Sequence, residues 1–390
     1  MQKPIHLAFV ALIAASFFLS CGRAQESEEQ KIEGTPTSNV PDPVISSSTI
    51  LSGYEIIWGM DVFPNGDLLF GERRGKLYLK SGDKVSEILG LPQVRTGGQG
   101  GLLDIRLHPD YAKNGWIYAT HSATASGNSG ELRLVRFKLA NNQVQNLEQL
   151  FSTGGGNTWN GHYGSRILFD RKGFVFLAVG EGGSGTYAGP RSSNRNAQDI
   201  RQAWGKIHRL KDDGSIPADN PVLPGATAPG SIYAFGVRNP QGLAIHPITG
   251  EIWEAEHGPR GGDELNILES GANYGWPNYS LGVNYDGTPI SQGHTAAGIS
   301  EPQYVWTPSI GVCGITFITA DAFKSWKGNL LATGLASQKL YRLVLEDNKV
   351  KQQAILIENS GRVRNVVQGS NGKIYVSLEG PGRIVEISAQ

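Results

Sequence analysis

The chain has 390 residues, 39% of them apolar, and a formal net charge of +0. That length admits one large all-β domain or two ordinary ones, and a neutral balance without a basic stripe argues against nucleic acid as a partner. Glycine makes up 52 of the residues beside plentiful aromatics, a composition suited to many strands and turns rather than to disorder.

At the N-terminus Lys3 precedes the apolar run Leu7–Leu19, then Ser20 and Cys21. The run is too short for an ordinary transmembrane helix and has the form of an export signal. Residues 1–20 resemble a bacterial lipoprotein signal with Cys21 as the acylated residue. Phe18 stands where Leu is usual, and secretion without a lipid is the alternative. Residues 21–48 are polar and acidic with Pro, Ser and Thr but no apolar period, and are expected to be a flexible linker. Membrane contact is therefore expected only through an N-terminal lipid, on the periplasmic or extracellular face. If Cys21 carries lipid, Cys313 is unpaired, no disulfide framework exists, and Cys313 is expected as a small core filler.

From residue 49 onward one pattern recurs: an apolar strand, a polar turn with Gly or Pro, and a second apolar strand. It occurs in six segments, Ile57–Leu79, Gly101–Ser122, Ser165–Glu181, Gln241–Glu256, Ile315–Gly334 and Val363–Glu379. Several are followed by a third strand-like run. Their starts are separated by roughly 45 to 75 residues, the repeat size of a β-propeller with one blade per repeat. No segment shows a convincing helical apolar period. The expected fold is all-β, a six-bladed propeller over residues 49–390.

In a propeller the loops at one end converge on the axis. Gln99, His162, Arg238-Asn239, Ser309 and Arg362/Arg364 sit at equivalent places ahead of the repeats. Cations and amides around one histidine suit a polar, anion-binding pocket. His162 lies in a Gly- and Asn-rich loop between Gly161 and Gly164, which permit close backbone approach. Glu181 ends the following hairpin, placed to orient the imidazole and adjust its pKa. Arg238 offers a planar fork for a carboxylate or quinone oxygen. The turn from Glu256 to Glu264 is rich in acids and carbonyls, the hard oxygens that calcium takes. Arg362 and Arg364 point to one face of a strand, so an anion or acids are expected near them.

These motifs resemble the soluble pyrroloquinoline quinone (PQQ)-dependent sugar dehydrogenases, the glucose and aldose-sugar dehydrogenase group. The resemblance runs from Trp58 to the C-terminus through GQGGLLDIRLHPDY, GHYGSRILFD, WGKIHRLKDDGSIPADNP, YAFGVRNPQGLAIHP, EHGPRGGDELN with ANYGWP, and GRVRNVV. It implies a six-bladed propeller and the cofactors PQQ and calcium. By resemblance His162 is the general base, supported by Glu181 where an Asp is usual. Gln99, Arg238, Asn239 and Arg364 contact the cofactor, and Ser309 falls where some members carry a contacting Thr. The carbonyls of Gly258 and Pro259 hold a calcium that also binds PQQ, and Glu264 with the Tyr274 carbonyl holds a second, structural one. Ala336 replaces a cofactor-contacting Lys of the glucose enzymes, with Gln338 and Lys339 the nearest residues to compensate.

The implied reaction is oxidation of an aldose at its anomeric carbon to a lactone. His162 takes the hydroxyl proton and hydride passes to PQQ, with calcium and Arg238 polarising the quinone oxygen. The electron acceptor downstream is unspecified. Two alternatives are a calcium-dependent lactonase or hydrolase, which needs converging carboxylates on the axis, and a cofactor-free propeller acting as a binding module, which Ala336 favours.

Overall fold

The computed structural model describes residues 41–183, 193–290 and 293–389. The signal segment and Cys21 lie outside the described residues. The described chain folds into six four-stranded antiparallel sheets, a six-bladed β-propeller. Blade 1 is Ile57–Val62, Leu68–Glu72, Lys76–Ser81 and Lys84–Ile88; blade 2 is Leu102–Leu107, Ile117–Thr124, Gly130–Ala140 and Gln143–Ser152. Blade 3 is Ile167–Phe169, Val175–Val179, Lys206–Leu210 and Ile232–Phe235; blade 4 is Pro240–Ile245, Ile252–Glu256, Asp263–Ile267 and Tyr304–Trp306. Blade 5 is Val312–Phe317, Leu330–Gly334, Lys339–Glu346 and Lys349–Ile357. Blade 6 takes Arg362–Gln368, Ile374–Glu379 and Gly382–Ala389 from the C-terminus and its last strand, Ile45–Tyr54, from the N-terminal side.

Burial follows position within a blade. Second strands such as Val175–Val179 are buried throughout, because both faces are covered by neighbouring blades. The outermost strand Lys349–Ile357 alternates exposed and half-buried residues through most of its length, as a strand with one wet face does. The apolar clusters lie between adjacent blades. One joins Phe63, Leu69 and Leu77 of the blade 1 region to Ile105, Ala119 and Phe137 of blade 2; another joins Ile57, Met60 and Phe70 to Val367, Tyr375 and Ile384 of blade 6.

Blade 6 corrects the expected linker boundary. Ile45 pairs with Ala389 and Tyr54 with Gly382, so Ile45–Ser48 belong to the propeller. Asp42 is tied in as well, accepting from Trp326 Nε1 at 2.7 Å and from Arg342 Nη2 at 3.1 Å. The strand reads ISSSTILSGY and is exposed or half-buried throughout, with no buried residue. An outermost strand is held by main-chain hydrogen bonds, so its composition carries little signal.

Five of the six innermost strands carry a register break at the same height. The breaks fall between Ile57 and Gly59, Leu102 and Ile105, Pro240 and Gly242, Val312 and Ile315, and Val363 and Asn365. A bulge leaves a residue unpaired and re-aims its side chain. Here Trp58, Leu103, Asp104, Gln241, Cys313, Gly314 and Arg364 are set free, and Trp58, Leu103, Gln241 and Arg364 among them line one cavity. At the bulges glycine permits blades to touch: a Cβ on Gly59 would lie 2.3 Å from the Leu103 carbonyl oxygen, and one on Gly242 2.4 Å from that of Cys313. Gly59→Ala is expected to lower stability by about 1–3 kcal/mol, the cost of overpacking against backbone that has nowhere to retreat. The midpoint of urea unfolding measures it.

Candidate functional site

The site is assembled from loops ahead of the innermost strands and braced from the ends of second strands. His162 has φ 47°, a left-handed conformation uncommon for a residue with a Cβ. Its N–H donates to Gln99 Oε1 at 2.9 Å, and its carbonyl packs where a Cβ on Gly180 would come within 2.2 Å. The backbone is thus pinned from blade 2 on one side and by its own blade on the other.

The imidazole is buried and its Nδ1 lies 2.6 Å from Glu181 Oε1. A carboxylate only accepts, so Nδ1 carries the proton and Nε2 presents a lone pair. Burial lowers the His162 pKa below its ordinary value, Glu181 opposes this, and the Arg238 charge lowers it further. The ring is therefore neutral at neutral pH, the state a general base requires.

Arg238 and Asn239 are buried at the entrance to blade 4. Their N–H groups donate to Glu256 Oε2 at 2.5 and 3.2 Å. Arg238 Nη1 donates to the carbonyls of His257 at 2.9 Å and Gly258 at 2.8 Å, and its guanidinium lies 5.1 Å from the Trp276 ring centroid. Asn239 Oδ1 accepts from Gly164 N–H at 3.1 Å and Gln241 Nε2 at 3.2 Å.

Beside these lies a cavity of about 220 Å3 whose wall includes Trp58, Arg73, Gln99, Gln241, His257, Arg362, Arg364 and Glu379. Of the residues expected from sequence, Gln99, Arg362 and Arg364 are in the wall. His162, Asn239 and Arg238 stand directly behind it, bonded to Gln99, Gly164 and His257 respectively. Glu379 answers the expectation of an acid near the paired arginines: Arg362 Nε reaches it at 3.0 Å and Arg364 Nε at 2.7 Å.

Ser309 is a correction. Its hydroxyl donates to the Pro259 carbonyl at 3.0 Å and accepts from the N–H groups of Gly261 at 3.0 Å and Gly262 at 3.1 Å. One donor and two lone pairs are then spent on the turn, leaving nothing for a ligand. Ala336 is exposed with its N–H on the Ile310 carbonyl. Gln338 and Lys339 are not in the cavity wall, whereas Arg73 is. Arg73 Nη1 donates to the carbonyls of Gly98 and Gly100, and its buried Nε has no partner. Sequence reasoning passed over Arg73, His257, Gln241 and Glu379 as ligand-facing residues. Arg73 and His257 each directly follow a second-strand glutamate, Glu72 and Glu256, a recurrence visible in the sequence.

The fit of an anionic quinone and of calcium differ. Three arginines and several amides in the wall suit an anionic cofactor. At the turn, the Gly258 carbonyl carries Arg238 and the Pro259 carbonyl carries Ser309. A guanidinium on the same oxygen repels a dication, so calcium does not fit there while Arg238 holds that bond. The second set fits better. Glu254 faces Asn266 and Glu256 faces Glu264 across two strands. Burial raises Glu254 and Glu256 well above the ordinary carboxylate range and pushes Glu264 up to about 7. Glu254 Oε1 has no partner, and among the described residues the Tyr274 carbonyl accepts no hydrogen bond. Among the described residues no three His, Cys, Asp or Glu side chains could hold a metal by themselves, so carbonyl oxygens are needed to complete a shell around Glu264.

The sequence profile of the family described as Glucose / Sorbosone dehydrogenase matches residues 54–386. The chain is 34% identical over 340 residues to the aldose sugar dehydrogenase YliI of Escherichia coli (strain K12), covering 85% of this chain and 89% of that one. A solved glucose dehydrogenase structure superposes with a TM-score of 0.83 at 34% identity, covering 88% of this chain and 100% of its own. The PQQ-bound form of an aldose sugar dehydrogenase from Streptomyces coelicolor superposes with a TM-score of 0.72 at 26% identity, over 90% of this chain and 100% of its own.

The electrostatics of the histidine are testable by NMR of its ring resonances. His162 is expected to titrate below about pH 6.5, the unperturbed value. Glu181→Gln removes the carboxylate that raises its pKa, so the midpoint moves further down. An upward move would show that Glu181 does not act on the ring as a charge.

Proposed function

The chain belongs to the glucose/sorbosone dehydrogenase family, and on that premise we propose that it oxidises an aldose at the anomeric carbon to the lactone, with PQQ as the electron acceptor and His162 as the general base. It is an oxidoreductase of the sugar dehydrogenase type acting on a small sugar. The observation that carries the finer reading is a neutral, carboxylate-oriented imidazole behind a cavity walled by Arg73, Arg362 and Arg364.

His162 Nε2 accepts the proton of the anomeric hydroxyl. Glu181 holds the ring in the tautomer that leaves this nitrogen free and stabilises the imidazolium formed. PQQ, when bound, supplies the carbonyl carbon that takes up the hydride, so the sugar loses two electrons and two protons in all. Arg364 and Arg362 would hold the anionic groups of the cofactor, and Gln99 fixes the base loop through the His162 N–H. Arg238 stands behind with its charge directed to the same region, suited to stabilising negative charge as it develops.

His162→Ala is expected to reduce aldose-dependent dye reduction by roughly 10²–10⁴-fold, the usual share of general-base catalysis, with PQQ affinity little changed. Arg364→Ala acts on binding instead and is expected to weaken PQQ affinity by about 1.5–3 kcal/mol, the range for hydrogen bonds to charged groups. If the parent protein with PQQ and calcium neither shows a bound-quinone spectrum nor oxidises any aldose, the reading fails.

Calcium is assigned to Glu264 and the Tyr274 carbonyl, a structural role. An ion that binds only the folded state raises its stability by mass action. Added calcium is expected to raise the thermal midpoint of the parent and to leave that of Glu264→Gln unmoved. Export with acylation at Cys21 is proposed from the signal-like N-terminus. Intact-mass analysis recovering an unmodified N-terminal peptide would rule it out.

A further inference from the structure

His257 directly follows the second strand of blade 4 and lines the cavity. Its tautomer is fixed by a chain of hydrogen bonds. The Gly164 N–H is a donor, so the Asn239 side-chain atom it reaches at 3.1 Å is the oxygen. That leaves Asn239 Nδ2, a donor only, facing His257 Nδ1 at 3.4 Å. Nδ1 must therefore be the accepting nitrogen, and the proton sits on Nε2. Nε2 is buried and has no partner.

A buried donor without an acceptor is destabilising, and native proteins seldom leave one without a reason. An accepting Nδ1 leaves the ring neutral, and Arg362 and Arg364 line the same cavity. Two neutral histidines thus sit at one site with opposite polarity: His162 offers a lone pair, His257 an N–H. Arginines beside the donor favour an anionic or carbonyl acceptor.

Resting on the PQQ reading above, we propose that His257 is a cofactor-positioning residue whose Nε2–H donates to an acceptor oxygen of the bound quinone. A Gln side chain can set an amide N–H near the Nε2 position, whereas Phe keeps the ring shape and donates nothing.

The test is titration of PQQ, with calcium present, into the full-length PQQ-free parent and into His257→Gln and His257→Phe, followed by the quinone absorption spectrum. Thermal unfolding first establishes that each variant is folded. His257→Phe is expected to bind PQQ roughly 10–100-fold more weakly, and His257→Gln within about threefold of the parent. Unchanged affinity in the Phe variant overturns the proposal. So does a Gln variant that loses more than about tenfold, whether or not the Phe variant folds. A Phe variant with parental PQQ affinity but a raised sugar KM also overturns it, since the donor then serves the substrate. A parent that binds no PQQ removes the reading on which the proposal rests, and the proposal with it; a parent that binds while the Phe variant matches it removes the proposal alone.

Discussion

The site depends on one recurring interaction, a polar side chain at the end of a blade's second strand gripping the segment ahead of that blade's first strand or the start of that strand. Glu72 accepts from the Glu55 N–H at 2.7 Å, Glu181 holds His162 at 2.6 Å, Glu256 takes the N–H groups of Arg238 and Asn239, and Glu379 takes Arg362 and Arg364. In blade 2 Ser122 does the same with a hydroxyl, donating to the Arg95 carbonyl at 2.5 Å and accepting from Gly101 N–H at 2.7 Å. Loops that converge on an axis leave backbone donors with no ladder to join, and buried donors must find acceptors. A carboxylate supplies them with charge-assisted strength. Its own burial is costly unless it is paired, which is why each of these acids has a partner.

One scaffold device therefore yields several functional roles. Where the gripped group is backbone, as at Glu256, the acid shapes a loop. Where it is an imidazole, as at Glu181, it makes a base. Where it is a pair of guanidinium groups, as at Glu379, it lets two like charges stand on one strand without repelling the fold apart. The role follows from what the preceding segment presents.

This explains how much could be read from sequence. The strand–turn–strand pattern with its terminal Gly or acid revealed the six blades, and position ahead of each first strand picked out Gln99, His162 and Arg238-Asn239. What failed was direction. Ser309 occupies an equivalent position, yet its hydroxyl turns into the Gly258–Gly262 loop. Trp58 and Gln241 face the cavity because a bulge frees them, and a bulge leaves no mark on an apolar alternation. The closing strand Ile45–Tyr54 escaped because its pairing is through the main chain and none of its residues is fully buried.

The arginines near the axis divide by how fully they are committed. Arg166 is buried, donating through Nη1 to Asp104 Oδ1 at 2.8 Å and through Nε to the Gln241 carbonyl at 2.8 Å, with its guanidinium 4.5 Å from the Trp58 ring centroid. It fixes two bulge residues and takes the closer hold on Asp104, which also lies 3.8 Å from Arg106 Nε, so it belongs to the scaffold. Arg364 shares its only carboxylate with Arg362, and its Nη1 makes only long contacts, 3.5 Å to Gln241 Oε1 and 3.6 Å to Cys313 Sγ. A guanidinium that shares its counter-ion and has only long contacts at Nη1 gains most from an anion in the cavity. The chain is neutral as a whole, so the cationic character of the cavity does not come from net charge. It comes from giving its arginines fewer acids than they can use.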